Sequence, residues 1–243
     1  MDKRAVKFAL AAVVVAAVVL GLFEFAGTGG SSGVVWADVA RKIDTNRGFT
    51  FQQRVMIDKS GRSEQVACAT VYNAGSRLRQ NWRRQPEGEL VKSCHYDFDA
   101  KTCTYVSHEE RTYLVAPMED RTVQSQENGC LNPKNWVHQF LSSKYAKLGH
   151  QTIEGVPCEG IETSDPAFAG GDPPPAHCVA QLWVSVETGY PVRLEYSSVG
   201  RTTRGDEVRL EVLCDRFQWD VELSPDFFEP NIPPDYRQLP DSQ

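Results

Sequence analysis

The sequence has no block of lysine and arginine. Its 26 basic and 32 acidic residues are interspersed and sum to a formal charge of −6. Nothing in it can track a phosphate backbone, which argues against a nucleic-acid partner. The densest basic group, Arg77, Arg79, Arg83 and Arg84, reads as a solvated strand face and turn. Signatures of catalysis are missing as well. His108, Glu109 and Glu110 begin like a zinc-protease helix motif, but Thr112 stands where the second histidine belongs. Gly29, Ser31 and Gly33 satisfy G-x-S-x-G with no strand before them to build a nucleophile elbow. Cys94 and His95 are chain neighbours, so a strand points them to opposite faces. Ala169, Gly170 and Gly171 sit in a proline-rich loop that opens no helix, and no phosphate loop or dinucleotide fingerprint occurs elsewhere. Asp165 and Asp172 flank that loop and read as solvated turn residues rather than calcium ligands. The five histidines share no ligand spacing. The expectation is a binding protein with no cofactor and no metal, not an enzyme.

Cysteine is also absent from the first 67 positions, so no thiol near the N-terminus is available to carry acyl chains. What stands there instead is Lys3, Arg4 and Lys7 followed by an apolar run from residue 8 to 23. The next positive charge after the run is Arg41, which places the short basic end inside the cytoplasm and the remainder outside. Residues 5–26 are long enough to span the hydrocarbon layer. They read as an uncleaved anchor, with a cleavable signal peptide as the alternative. The organisation is then a cytoplasmic end at 1–4, an anchor at 5–26, a flexible GTGGSSG linker at 27–33 and one extracytoplasmic, periplasmic domain at 34–243.

Seven cysteines suit an oxidising compartment. Cys94 and Cys103 lie symmetrically about Phe98 and Asp99, and a two-residue hairpin there would set them opposite each other within disulfide range. Cys158 and Cys178 flank the loop at 163–177 and form a second candidate pair, with buried thiols as the alternative reading.

Within the domain, Val35, Trp36, Val39, Ala40 and Ile43 recur at helical spacing, with Ser32 as a candidate N-cap and Gly48 as a stop. From Phe49 the period becomes two, and strands are expected at 49–58, 64–72, 76–82, 90–96, 101–107, 111–115, 156–162, 179–186, 191–196 and 207–214. ETGYP at 187–191 is a tight turn that uses Gly189. Asn132 and Pro133 resemble an N-cap and first helical residue, and Trp136, Val137, Phe140 and Leu141 form that helix's apolar face. Helices and strands do not alternate, so a mainly β (α+β) domain with a large antiparallel sheet is expected. The segment PDFFEPNIPPDY at 225–236 is too rich in proline for a central strand. It should strap the outside through Phe227, Phe228 and Ile232.

The order VVWADVARKI, FTFQQRVMI, NPKNWVHQFL, GIETSDPAF, QLWVSVETGYPVRLEY and DRFQWDVELSPDFFEPNIPPDY resembles the bacterial lipoprotein-localisation superfamily (LolA and LolB types) and its RseB-like sensor relatives. The resemblance implies a strongly curved antiparallel sheet, an incomplete barrel, with helices in or across its concave side. It also implies an apolar groove for acyl chains or lipoproteins. Phe51, Val55, Leu78, Trp82, Tyr105 and Val184, each on an apolar phase of an expected strand, are the candidates for lining that groove. Two roles follow from the resemblance. One is a membrane-tethered binder of lipid or lipoprotein. The other is an envelope-stress sensor or interaction module acting with a membrane regulatory protein such as an anti-sigma factor.

Overall fold

The computed structural model describes residues 33–59, 62–84, 88–120, 132–169, 175, 177–201 and 206–240. The expected anchor at 5–26 lies outside these residues. No helix among the described residues is long and apolar enough to cross a membrane. The compact unit Val34–Gln243 contains everything described below.

Helix α1, Trp36–Thr45, buries Trp36, Val39, Ala40 and Ile43, the stripe read from the sequence. Its N-cap is Val35 rather than Ser32, with no side-chain cap, and Gly48 is the first residue of a strand. Helix α2, Pro133–Ser142, starts as expected: the Asn132 side chain accepts a hydrogen bond from the Lys134 amide, and proline occupies the first turn. Helix α3 is the short Pro166–Ala169.

The strands are β1 Gly48–Lys59, β2 Arg62–Ala74, β3 Arg77–Arg83, β4 Leu90–Asp97, β5 Thr102–Ser107, β6 Thr112–Pro117, β7 Tyr145–Ile153, β8 Val156–Thr163, β9 His177–Ser185, β10 Pro191–Arg201, β11 Glu207–Trp219 and β12 Arg237–Gln238. They form one sheet in the order β12-β6-β5-β4-β3-β2-β1-β11-β10-β9-β8-β7, antiparallel except where β12 runs parallel to β6. The order is linear, so the sheet is open at β7. Because β6, beside the edge strand β12, and β7 lie at opposite ends of the sheet, the chain between them crosses a face of the sheet, and α2 lies on that crossing.

The sheet curls around its helices. Residues of α1 and α2 share one core with Tyr96 and Cys103 on β4 and β5, and with Ile161 and Leu182 on β8 and β9. Laid flat, eight strand steps from β5 to β8 would span about 38 Å. Two helices side by side cover only about 20 Å, so the sheet must bend for both flanks to reach them. Lys134 donates to the carbonyl oxygens of Asp44 and Asn46, and His138 Nε2 lies 2.9 Å from Asp44 Oδ1, which ties the helices to each other.

The opposite face of β2–β6 carries the C-terminal strap expected from the sequence. A 3-10 turn at Pro225–Phe228 sets Phe227 against Tyr72, with ring centroids 4.9 Å apart, and against the Arg79 guanidinium. Phe228 is buried, and His95 Nδ1–H donates to its carbonyl at 2.9 Å. Burial holds the His95 pKa below 6.5. The bond to Phe228 raises it, and nearby Arg79 and His108 lower it. The unfolded chain therefore takes up a proton on this ring more readily than the fold does. The ring's contribution to stability is complete above 6.5 and is lost as pH falls below that value. Folding stability is expected to decline as pH falls below about 6.5, and His95→Gln should flatten the decline in denaturant melts. An identical slope in the variant would contradict the assignment.

Two strands escape the sequence reading, the two-residue β12 and β7. In β7, YAKLGHQTI, all residues but Gly149 and Ile153 are exposed, and the register slips between Lys147 and Gly149. An edge strand exposed on both faces has no alternation to read.

Candidate functional site

The helix-bearing inner face of the sheet can be traced residue by residue through the register. One row runs Ala67–Val55–Val212–Tyr196–Ala180 across β2, β1, β11, β10 and β9. The next row outward holds Ile57, Leu210 and Ser198. On the other flank, Ala69–Trp82–Lys92–Ser107 and Val71–Gln80–Cys94–Tyr105–Leu114 form two more rows across β2 to β6. All six residues expected to line a groove lie on this face, but in two environments. Phe51, Leu78 and Val184 are core, with 0%, 2% and 0% of their surface exposed. Phe51 packs against Trp136 of α2 with ring centroids 5.5 Å apart. Val55, Trp82 and Tyr105 are only half-buried. The half-buried set also includes Leu114, Tyr196, Leu210 and Val212.

Sequence reasoning missed Tyr196, Val212 and Leu114, although Val212 and Leu210 carry the same alternation that marks Val55. The signal was present in each strand. What could not be read locally is that these strands bring it together across β1, β11 and β10.

The expected Cys94–Cys103 disulfide is absent, and both are free thiols. The turn between β4 and β5 holds four residues, 98–101, with Lys101 at φ 51°, instead of two. Cys103 therefore pairs with Tyr96 and Cys94 with Tyr105. Diagonal neighbours of this kind have Cα atoms about 7–8 Å apart, beyond the usual disulfide span. Burial pushes the Cys103 thiol up to about 12, so neither metal binding nor nucleophilic chemistry is favoured there. The Cys158–Cys178 bridge is absent too. Cys158 pairs with Ser185, seven residues along β9 from Cys178, a separation of about 23 Å. The two side chains also point to opposite faces. Cys158 donates to the Val156 carbonyl and Cys178 to the Asp165 carbonyl. Among the described residues no group of three or more His, Cys, Asp or Glu side chains is placed to hold a metal ion.

A concavity of about 450 Å³ lies on the outer face between β1, β11, β10 and β9. Met56, Val179 and Leu213 give it apolar surface, but Arg54, Glu195 and Glu211 bring charge into its wall. Arg54 is paired with the buried Asp215. The inner rows traced above carry one charge, Lys92.

No protein-family model matches the sequence, and no curated protein matches it. Solved structures similar to it include the lipoprotein LppX of Mycobacterium tuberculosis, at 12% identity and a TM-score of 0.47 over 81% of this chain and 99% of that one. A LolA superfamily protein of Nitrosomonas europaea is similar at 11% identity and a TM-score of 0.36, over 81% and 98% of the two chains. The MucA/MucB complex of Pseudomonas aeruginosa is similar at 12% identity and a TM-score of 0.38, over 80% of this chain and 59% of that one. A LolA superfamily protein is thus among the structures it is similar to. The likeness concerns the fold alone.

Proposed function

We propose that this chain is a membrane-tethered, extracytoplasmic domain that binds an apolar ligand, a lipid acyl chain or the lipid of a lipoprotein, on the inner face of its curved sheet. The observation that carries the reading is the half-buried apolar surface formed by Val55, Val212, Tyr196, Trp82, Tyr105 and Leu114. Large apolar side chains that are neither sealed into a core nor scattered singly make the kind of surface that takes an apolar chain. The sequence resemblance to lipoprotein-localisation proteins supports the same reading, and the basic N-terminal end with the apolar run after it supports the tether.

A second reading, a docking module for a regulatory protein, is favoured by β7. It is a nine-residue strand at the open edge of the sheet with Tyr145 and Leu148 exposed. Such an edge can accept an extended segment of a partner.

The test is protease treatment of spheroplasts, to cut at 27–33, followed by mass spectrometry of the released domain. Release of a domain carrying an acyl-containing molecule is expected. A protected domain would sink the topology. A released domain that carries no lipid and takes up none would leave the docking module.

A further inference from the structure

Every described side chain on the inner face of β1–β6 and β9–β11 is uncharged, with one exception. Phe49, Phe51, Gln53, Val55 and Ile57 on β1 are uncharged, as are Asn73, Val71, Ala69 and Ala67 opposite the first four on β2, and Trp219, Cys214, Val212 and Leu210 on β11. The pattern continues on β3 through Leu78, Gln80 and Trp82, and on β10 and β9 through Leu194, Tyr196, Ala180 and Leu182. The exception is Lys92, which sits on this face between Trp82 and Ser107. Its Nζ lies over the Tyr105 ring, 5.4 Å from the centroid.

The basic residues near it are engaged. Arg83 donates to the Gly88 carbonyl, and Arg84 pairs with Glu89 and Glu109. Among the described residues Lys92 has no carboxylate within ion-pair distance, and its ammonium faces the Tyr105 ring. It is exposed, which puts the ammonium at the rim and leaves the apolar surface of Trp82, Tyr105 and Leu114 behind it.

We propose that Lys92 receives the anionic head of the ligand, so that the site selects an acyl chain ending in a carboxylate or a phosphate. The proposal rests on the acyl-binding reading above and narrows it to a chemical class. A chain lying along the half-buried rows with its head outward brings its charge to the rim. An ammonium there, already oriented by the Tyr105 ring, supplies a charge-assisted hydrogen bond to an anion and nothing comparable to a neutral alcohol. A free fatty acid and a phospholipid share this chemistry.

The test uses the fragment Val34–Gln243, which contains all of the core described here and so carries its own core. It is titrated with hexadecanoate, hexadecyl phosphate and hexadecanol at about pH 8, where both acids are ionised. One or both anions should bind about tenfold more tightly than the alcohol, a ratio set by one charge-assisted hydrogen bond. The tighter anion identifies the source, fatty acid or phosphate-bearing lipid. Lys92→Gln should bring the anions to the level of the alcohol and leave the alcohol's affinity unchanged, and Lys92→Arg should restore the preference. Equal binding of all three by the unaltered fragment, or a preference that survives Lys92→Gln, would overturn the role of Lys92 and leave acyl binding standing. Failure of all three ligands would overturn acyl binding itself.

Discussion

Phe51→Ala is expected to remove about 3–5 kcal/mol of folding stability, the cost of emptying a closed aromatic site. Phe51 is fully buried. Its ring lies 5.1 Å from Phe217, 5.5 Å from Trp136 and 6.1 Å from Phe49, measured between centroids. It therefore joins β1, β11 and α2 at one point, and helix and sheet would both lose their partner if it were truncated. The tight ring packing leaves little room for neighbours to collapse into the gap, which puts the cost toward the upper end. Urea unfolding of Val34–Gln243 and its variant measures the loss. A change below about 1 kcal/mol, the size expected of a surface substitution, would show that Phe51 is not core and would return it to the candidates for ligand contact.

That expectation also marks where the sequence stops being informative. Phe51, Leu78 and Val184 carry the same alternating pattern as Val55, Trp82 and Tyr105, because both trios occupy the inner phase of a strand. They differ only in what lies over them, and α2 reaches Phe51 from 85 residues away in the chain. Burial set by distant elements leaves no local trace.

Features built from neighbouring residues fared better. The Asn132–Pro133 start of α2, the ETGYP turn with Gly189 at φ 68°, and the tail anchored by Phe227 and Phe228 were all legible, since each depends on a cap, a backbone preference or proline chemistry. The β4–β5 hairpin shows the intermediate case. Both strands were read correctly, but FDAK contains no residue pair that dictates a two-residue turn. The two additional turn residues moved Cys94 away from Cys103 in the register. Nothing in LVKSCHYD distinguishes Lys92 from any other charge on a strand, and it becomes notable only against the uncharged strands beside it.

The most direct test of the account compares two adjacent residues. Val55 faces the inner rows, opposite Val212 and Ala67, whereas Met56 faces outward into the cleft shared with Glu211 and Val179. Both are apolar and neither is sealed: Met56 is 37% exposed and Val55 is half-buried. Aspartate at either position alters one side chain and leaves the other face untouched, and near-UV circular dichroism confirms retention of the fold. Placing a carboxylate against an apolar chain strips its hydration, so affinity at the site of contact should fall by well over tenfold. The measurement is titration of Val34–Gln243 with a fluorescent acyl chain. Saturable binding that Val55→Asp abolishes and Met56→Asp preserves is the predicted result. Loss with Met56→Asp and retention with Val55→Asp would move the site to the outer cleft and contradict the inner-face account.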